Sequence, residues 1–119
     1  MPTNDEIKEA YGELIAAYDV AVSRTLDVME ALEALTNAEA SIMASEVITG
    51  SNAEIRSAKL KIATAEMREV LHKETIAKKN ADAAVELTRM EIESYKLQIR
   101  NTDNLLREKE LKGRNKNNE

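Results

Sequence analysis

The chain has 119 residues, of which 43% are hydrophobic, 33% charged and only 3% aromatic, and its formal net charge is −5. Three tyrosines are its only aromatic residues and it has no cysteine, which excludes disulfides, thiolate chemistry and a core built on large rings. Ala, Leu, Ile, Val and Met recur regularly among Glu, Lys and Arg, a mixture that suits long helices around a thin core rather than a disordered chain.

The first predicted element is a helix over about 4–48. Thr3-Asn4-Asp5-Glu6 fits the T-x-x-E capping pattern, in which a hydroxyl accepts from an unpartnered backbone N–H and a Glu three residues on reaches back. On a wheel of about 100° per residue, Ile7, Tyr11, Leu14, Tyr18, Val22, Met29, Leu32, Met43 and Val47 fall in one broad apolar stripe. The opposite face is acidic or Ala, so this helix reads as having one partner surface. Gly12 interrupts it at a cost of about 1 kcal/mol relative to Ala, and the expected compensation is close approach of the neighbouring helix.

The stretch "VITGSNAEIR", residues 47–56, predicts the one break in the chain. Gly50 can take the left-handed conformation that ends a helix, and Ser51-Asn52-Ala53-Glu54 fits the S-x-x-E start of the next one. The turn is therefore placed at 49–52, with Gly50, Ser51, Asn52 and Glu54 forming it. A connection this short favours antiparallel neighbours.

Helix two is predicted over about 53–112, with Gly113 stopping it and 113–119 forming a disordered polar tail. It carries two apolar stripes on nearly opposite sides. One holds Ile55, Ala58, Ile62, Ala65, Ile76, Ala83, Leu87, Met90 and Leu97, together with the polar His72 and Asn80 and, further along, Asn101. The other holds Leu60, Met67, Leu71, Val85, Ile92, Ile99 and Leu106, with Tyr95 nearby. A single hairpin partner covers one stripe only. The expectation is that the first stripe meets helix one and the second forms an oligomer interface, with His72, Asn80 and Asn101 fixing register. The alternative is that helix two breaks near "KKNADAA", at Lys79–Ala84, and folds back into a three-helix bundle. Helix two is the longer and overhangs helix one, leaving Leu105, Leu106 and Leu111 at its end.

Charge divides unevenly: residues 1–50 carry ten acids and two bases, residues 51–119 twelve acids and fifteen bases. Two paired helices that attract each other explain this, as does an acidic face docking on a basic partner. Arg89, Lys96, Arg100 and Arg107 share one side of helix two and form a candidate nucleic-acid contact. Glu93, Asp103 and Glu110 intrude on that strip, and aromatics for stacking on bases are nearly absent.

Catalytic chemistry has little to draw on. His72 is the only histidine, so the two-histidine helical zinc pattern is missing, as are Gly-rich phosphate loops and the Glu-x-x-His pairs of di-metal bundles. The chain is read as non-enzymatic, with no cofactor and no metal. No apolar run approaches the roughly 20 residues of a membrane span, neither helix has the aromatic and basic faces of a membrane-surface helix, and no secretory signal is seen at the start. A cytoplasmic protein is expected.

The turn "TGSNAEIRSAKL", residues 49–60, is similar to a T-G-x-N-x-E-x-R-x-A-x-L turn in small Ala/Glu-rich helical-hairpin proteins encoded by tailed phages and prophages. Those proteins often lie among early replication and recombination genes. The resemblance implies turn-forming roles for Gly50, Asn52, Glu54 and Arg56 and brings no catalytic residue. It further implies a phage accessory protein in the host cytoplasm that binds another protein, such as a host nuclease, a defence factor or a recombination component.

The combined expectation is an all-α fold: an antiparallel two-helix hairpin of coiled-coil-like helices, a single domain over 1–112, assembling into an oligomeric helical bundle, with a dimer first. Its expected function is that of a protein–protein interaction module. The alternative is a DNA-associated accessory factor of replication or recombination that uses the basic strip.

Overall fold

A computed structural model describes residues 1–44 and 53–117. Every element among these residues is an α-helix: α1 (Asn4–Ala44), α2 (Ala53–Ala63) and α3 (Ala65–Asn117). The predicted turn residues Gly50, Ser51 and Asn52, and with them Val47, lie outside the described residues.

The start of α1 follows from its cap. Thr3 Oγ1 accepts from the Glu6 N–H at 3.1 Å, and the Ile7 N–H donates to the Thr3 carbonyl at 3.1 Å. The return arm differs from the expected box: the Thr3 hydroxyl donates to the Glu6 carboxylate at 3.3 Å.

Helix two is not one element. α2 ends at Ala63 and α3 begins at Ala65, with Thr64 between them. The backbone ladder nevertheless continues, because Thr64 N–H donates to the Leu60 carbonyl and Arg68 N–H to the Thr64 carbonyl, each at 3.0 Å. Thr64 Oγ1 adds a second bond to the Leu60 carbonyl at 2.8 Å, a contact that tends to bend helices. Thr25, Thr75, Thr88 and Thr102 make the same back-bond inside regular helix. What sets Thr64 apart is its burial, at 2% exposed, and a further bond to Arg68. The break weighed at Lys79–Ala84 does not occur, since α3 runs through that segment. Gly113 does not stop the helix either: α3 continues to Asn117, which corrects the disordered tail expected from residue 113. One Gly lowers helix propensity by only about 1 kcal/mol, and the residues around it form helix well.

The chain divides into two units, one of residues 1–18 with 83–119, the other of residues 19–82. In the first, the start of α1 pairs antiparallel with the later part of α3. Tyr18 meets Arg89, while Ile7 and Tyr11 line a cavity with Ile92, Tyr95 and Ile99. Ala10, Val85 and Ile92 are its buried apolar residues, with Ile7, Leu14, Ala17, Tyr95 and Ile99 half-buried around them. In the second, α1 pairs antiparallel with the first part of α3, as the ion pairs Arg24–Glu74 and Glu39–Arg68 show. Ala21, Leu35, Ala81 and Thr64 are buried there, with Val28, Ala31, Ala38, Ile42, Leu60 and Leu71 half-buried.

These residues define a seam in each unit. On α1 they follow a seven-residue repeat, Ile7 and Leu14 in the first unit and Ala21, Val28, Leu35 and Ile42 in the second, interleaved with Ala10 and Ala17 and with Ala31 and Ala38. Small Ala side chains bring the backbones close and leave little volume to fill. Of the larger side chains expected to pack on helix two, Val22, Met29, Leu32 and Met43 are exposed and face out, while Tyr11 and Tyr18, though 43% and 38% exposed, still meet α3 at the edge of the seam. Gly12 is not a point of close approach, because a Cβ built there meets nothing within 4 Å.

The stripe of helix two that packs within the chain is the second, not the first. Val85 and Ile92, expected in an oligomer interface, are 6% and 5% exposed within one chain and pack against its own α1. Leu60 and Leu71 of that stripe are half-buried in the unit of residues 19–82, and Tyr95 and Ile99 in the unit of residues 1–18 and 83–119, while Met67 and Leu106 are 41% and 53% exposed. The stripe expected to meet helix one is the outward one. His72, Asn80 and Asn101 are exposed, so they do not fix the register of the seam. The half-buried or buried polar positions of helix two are Thr64, Arg68, Glu74, Thr75, Lys78, Thr88 and Thr102.

Candidate functional site

Polar chemistry in the unit of residues 19–82 centres on Arg68. Its Nη2 donates to Glu39 Oε1 at 2.6 Å across the seam, and its Nε donates to Thr64 Oγ1 at 3.1 Å. One planar guanidinium thus joins α1 to the residue between α2 and α3. Nearby, Arg24 Nη1 lies 3.7 Å from Asp27 and 3.9 Å from Glu74 Oε2, which is buried and accepts no hydrogen bond among the described residues. Asp27, Glu30 and Glu74 border a shallow hollow with Ala31 and Val70. Among the described residues no three His, Asp or Glu side chains converge to hold a metal ion.

In the unit of residues 1–18 and 83–119, Arg89 Nη2 donates to the Tyr18 hydroxyl, and the guanidinium carbon lies 5.5 Å from the ring centroid. Arg89 also pairs with Glu86 at 3.2 Å. The Tyr18 contact first, and Glu86 after it, push the Arg89 guanidinium further up from its already high value. Tyr95 donates to Glu91 Oε1 at 3.0 Å, and this bond, with partial burial and the carboxylates Glu91, Glu6 and Glu13, raises the phenol above its ordinary value. Ile7, Tyr11, Ile92, Tyr95, Lys96 and Ile99 enclose a small cavity of about 110 Å³ beside it.

The basic strip is partly spent inside the chain. Arg89 is engaged by Tyr18 and Glu86, and Lys96 by Glu93 at 3.3 Å. Arg100 and Arg107 are exposed and form no ion pair within 4.0 Å among the described residues. Glu54 and Arg56, the predicted turn residues inside the described chain, are exposed on α2, with Glu54 in its first turn.

What remains open is apolar surface. In the unit of residues 1–18 and 83–119, Ile15, Leu87, Met90 and Leu97 are 55–67% exposed, and Leu105, Leu106 and Leu111 are exposed towards the end of α3. Met90 and Leu97 line a groove on α3 with Glu86, Arg89, Glu93 and Ser94. In the unit of residues 19–82, Val22, Leu26, Met29 and Leu32 on α1 are 51–60% exposed, and Ile62 on α2 is 78% exposed. Sequence reasoning had Val22, Met29 and Leu32 in the hairpin seam and left out Leu26. Val22 and Met29 are themselves seven residues apart, one position on from Ala21 and Val28, so spacing alone does not separate this outer line from the seam.

Against this geometry, comparison of the chain with protein-family models, with curated proteins and with solved structures finds no match. No helix among the described residues is long and apolar enough to cross a membrane.

Proposed function

We propose that this protein is a non-enzymatic helical oligomer that acts as a protein–protein interaction module. The observation that carries the reading is the number of large apolar side chains left outward on α1, α2 and α3 after each unit has formed its own seam. Contiguous apolar patches of this kind on a helix surface mark places where another helix packs. The interface belongs to this outward set, since Val85 and Ile92 are occupied within the chain. Sedimentation equilibrium on the full chain tests the self-association. A species of twice 13.3 kDa or more at micromolar concentration is expected, and a stable folded monomer would contradict it.

The turn similarity described above supports a phage or prophage setting, in which the module binds a host or phage protein of DNA metabolism or defence. A DNA-associated role is the second reading, and exposed Arg100 and Arg107 favour it. Binding to single- and double-stranded DNA at two salt concentrations separates the readings. Phosphate contacts would give an affinity that falls steeply with salt and drops when Arg100 and Arg107 become Gln.

A further inference from the structure

The unit of residues 19–82 leaves two helical surfaces whose chemistry is complementary. On α1, Val22, Leu26 and Met29 follow i, i+4, i+7 spacing, with Leu32 one turn further on, and all four are more than half exposed. Asp19, Glu30 and Glu33 border this stripe and are themselves exposed. Over residues 19–44 there are five acids and one base.

α2 presents the opposite set. It is an 11-residue helix with no buried residue. Ile55, Ala58 and Ile62 line one side, with Ile62 78% exposed. Its charges are one acid, Glu54, against Arg56, Lys59 and Lys61. A helical segment in which only Leu60 is half-buried, yet which carries isoleucines at i, i+7, leaves that side for something else to cover.

We propose that the outer stripe of α1 docks on α2 of a second copy of this chain, reciprocally, as a two-fold dimer requires. Val22, Leu26 and Met29 pack on Ile55 and Ile62, while Glu30 and Glu33 face Arg56 and Lys61. Charge selects this arrangement. Packing α1 on α1 would bring the acidic borders together, and α2 on α2 would oppose the basic ones, each a like-charge juxtaposition. The inference rests on the self-association proposed above and names its surface.

Charge reversal with rescue tests it on the full chain. Glu30→Lys with Glu33→Lys makes both surfaces basic, and Arg56→Glu with Lys61→Glu makes both acidic. All four side chains are exposed, so helicity by circular dichroism should be retained. Each variant alone should dimerise at least about tenfold more weakly than wild type, and an equimolar mixture should recover a heterodimer. If wild type is a monomer, the self-association fails and this surface with it. If wild type associates but both variants associate equally well, only the surface is wrong. If the Glu30→Lys, Glu33→Lys chain pairs preferentially with wild type through α1, the α1–α1 arrangement replaces it. Should a reversal cost helicity, Glu30→Gln with Glu33→Gln and Arg56→Gln with Lys61→Gln take its place. Weaker association of both neutral variants supports the surface, and unchanged association overturns it.

Discussion

Arg68 and Glu39 meet across the seam at 2.6 Å, while the same guanidinium holds the hydroxyl of the buried Thr64. A seven-residue apolar repeat alone permits slippage by whole heptads, because each slip again places apolar residues opposite one another. This pair distinguishes one alignment of α1 from its heptad-shifted neighbours. Both side chains keep contact with solvent, at 40% and 32% exposure, so the pair contributes specificity more than stability. A double-mutant cycle with Arg68→Ala and Glu39→Ala should give a coupling of about 1 kcal/mol or less. The larger effect should be on alignment. Spin labels on α1 and α3 should report one distance in wild type and several in the double variant.

Thr64→Val removes the hydroxyl but keeps the shape. It deletes the bonds to the Leu60 carbonyl and from Arg68 at a residue 2% exposed. A loss of about 1 kcal/mol is expected by chemical denaturation. No loss would mean that the break between α2 and α3 owes nothing to this side chain.

Ile92 and Leu97 separate the seam from the outer surface. Ile92 is 5% exposed and Leu97 55%. Ile92→Ala should cost about 2–4 kcal/mol at every protein concentration. Leu97→Ala should cost under about 0.5 kcal/mol in the dissociated chain. Equal, concentration-dependent losses would return Ile92 to an intermolecular interface.

Gly12 lies inside α1 with open space where its Cβ would be. Gly12→Ala should therefore stabilise the helix by about 0.5–1 kcal/mol, seen as a higher melting temperature. A lower one would reveal a close neighbour at this position.

Tyr95 donates to Glu91, so its phenol should ionise above the ordinary value of 10.0. The sign follows from linkage: a raised value means that the folded state prefers the protonated phenol. The contribution is complete below the unfolded value and is lost as pH rises through the folded one. Ultraviolet titration in a Tyr11→Phe, Tyr18→Phe background should show the raised midpoint, and Glu91→Gln should lower it. An unmoved midpoint would assign the shift to burial and the more distant carboxylates.

The amino-acid sequence by itself determined that this chain is helical, that Thr3 starts α1, and that helix two carries two opposed apolar stripes. Each is a local matter of capping chemistry and spacing, needing no knowledge of neighbours. Which stripe becomes the seam was decided only by tertiary packing. A wheel of 3.6 residues per turn lets a seven-residue repeat drift by about 20° per heptad, so from Ile7 to Ile42 the repeat spreads over roughly 100° and loses its identity as one line. Volume misled as well: Tyr11, Tyr18 and Met29 look like core beside Ala10, Ala17 and Ala21. Ala10 and Ala21 are buried, while Met29 faces out and Tyr11 and Tyr18 stay at the edge of the seam. Tertiary packing likewise put Val85 and Ile92 inside and left Leu87, Met90 and Leu97 facing out. Pairing Arg68 with Glu39, 29 residues earlier, needed the antiparallel register, which no local spacing contains.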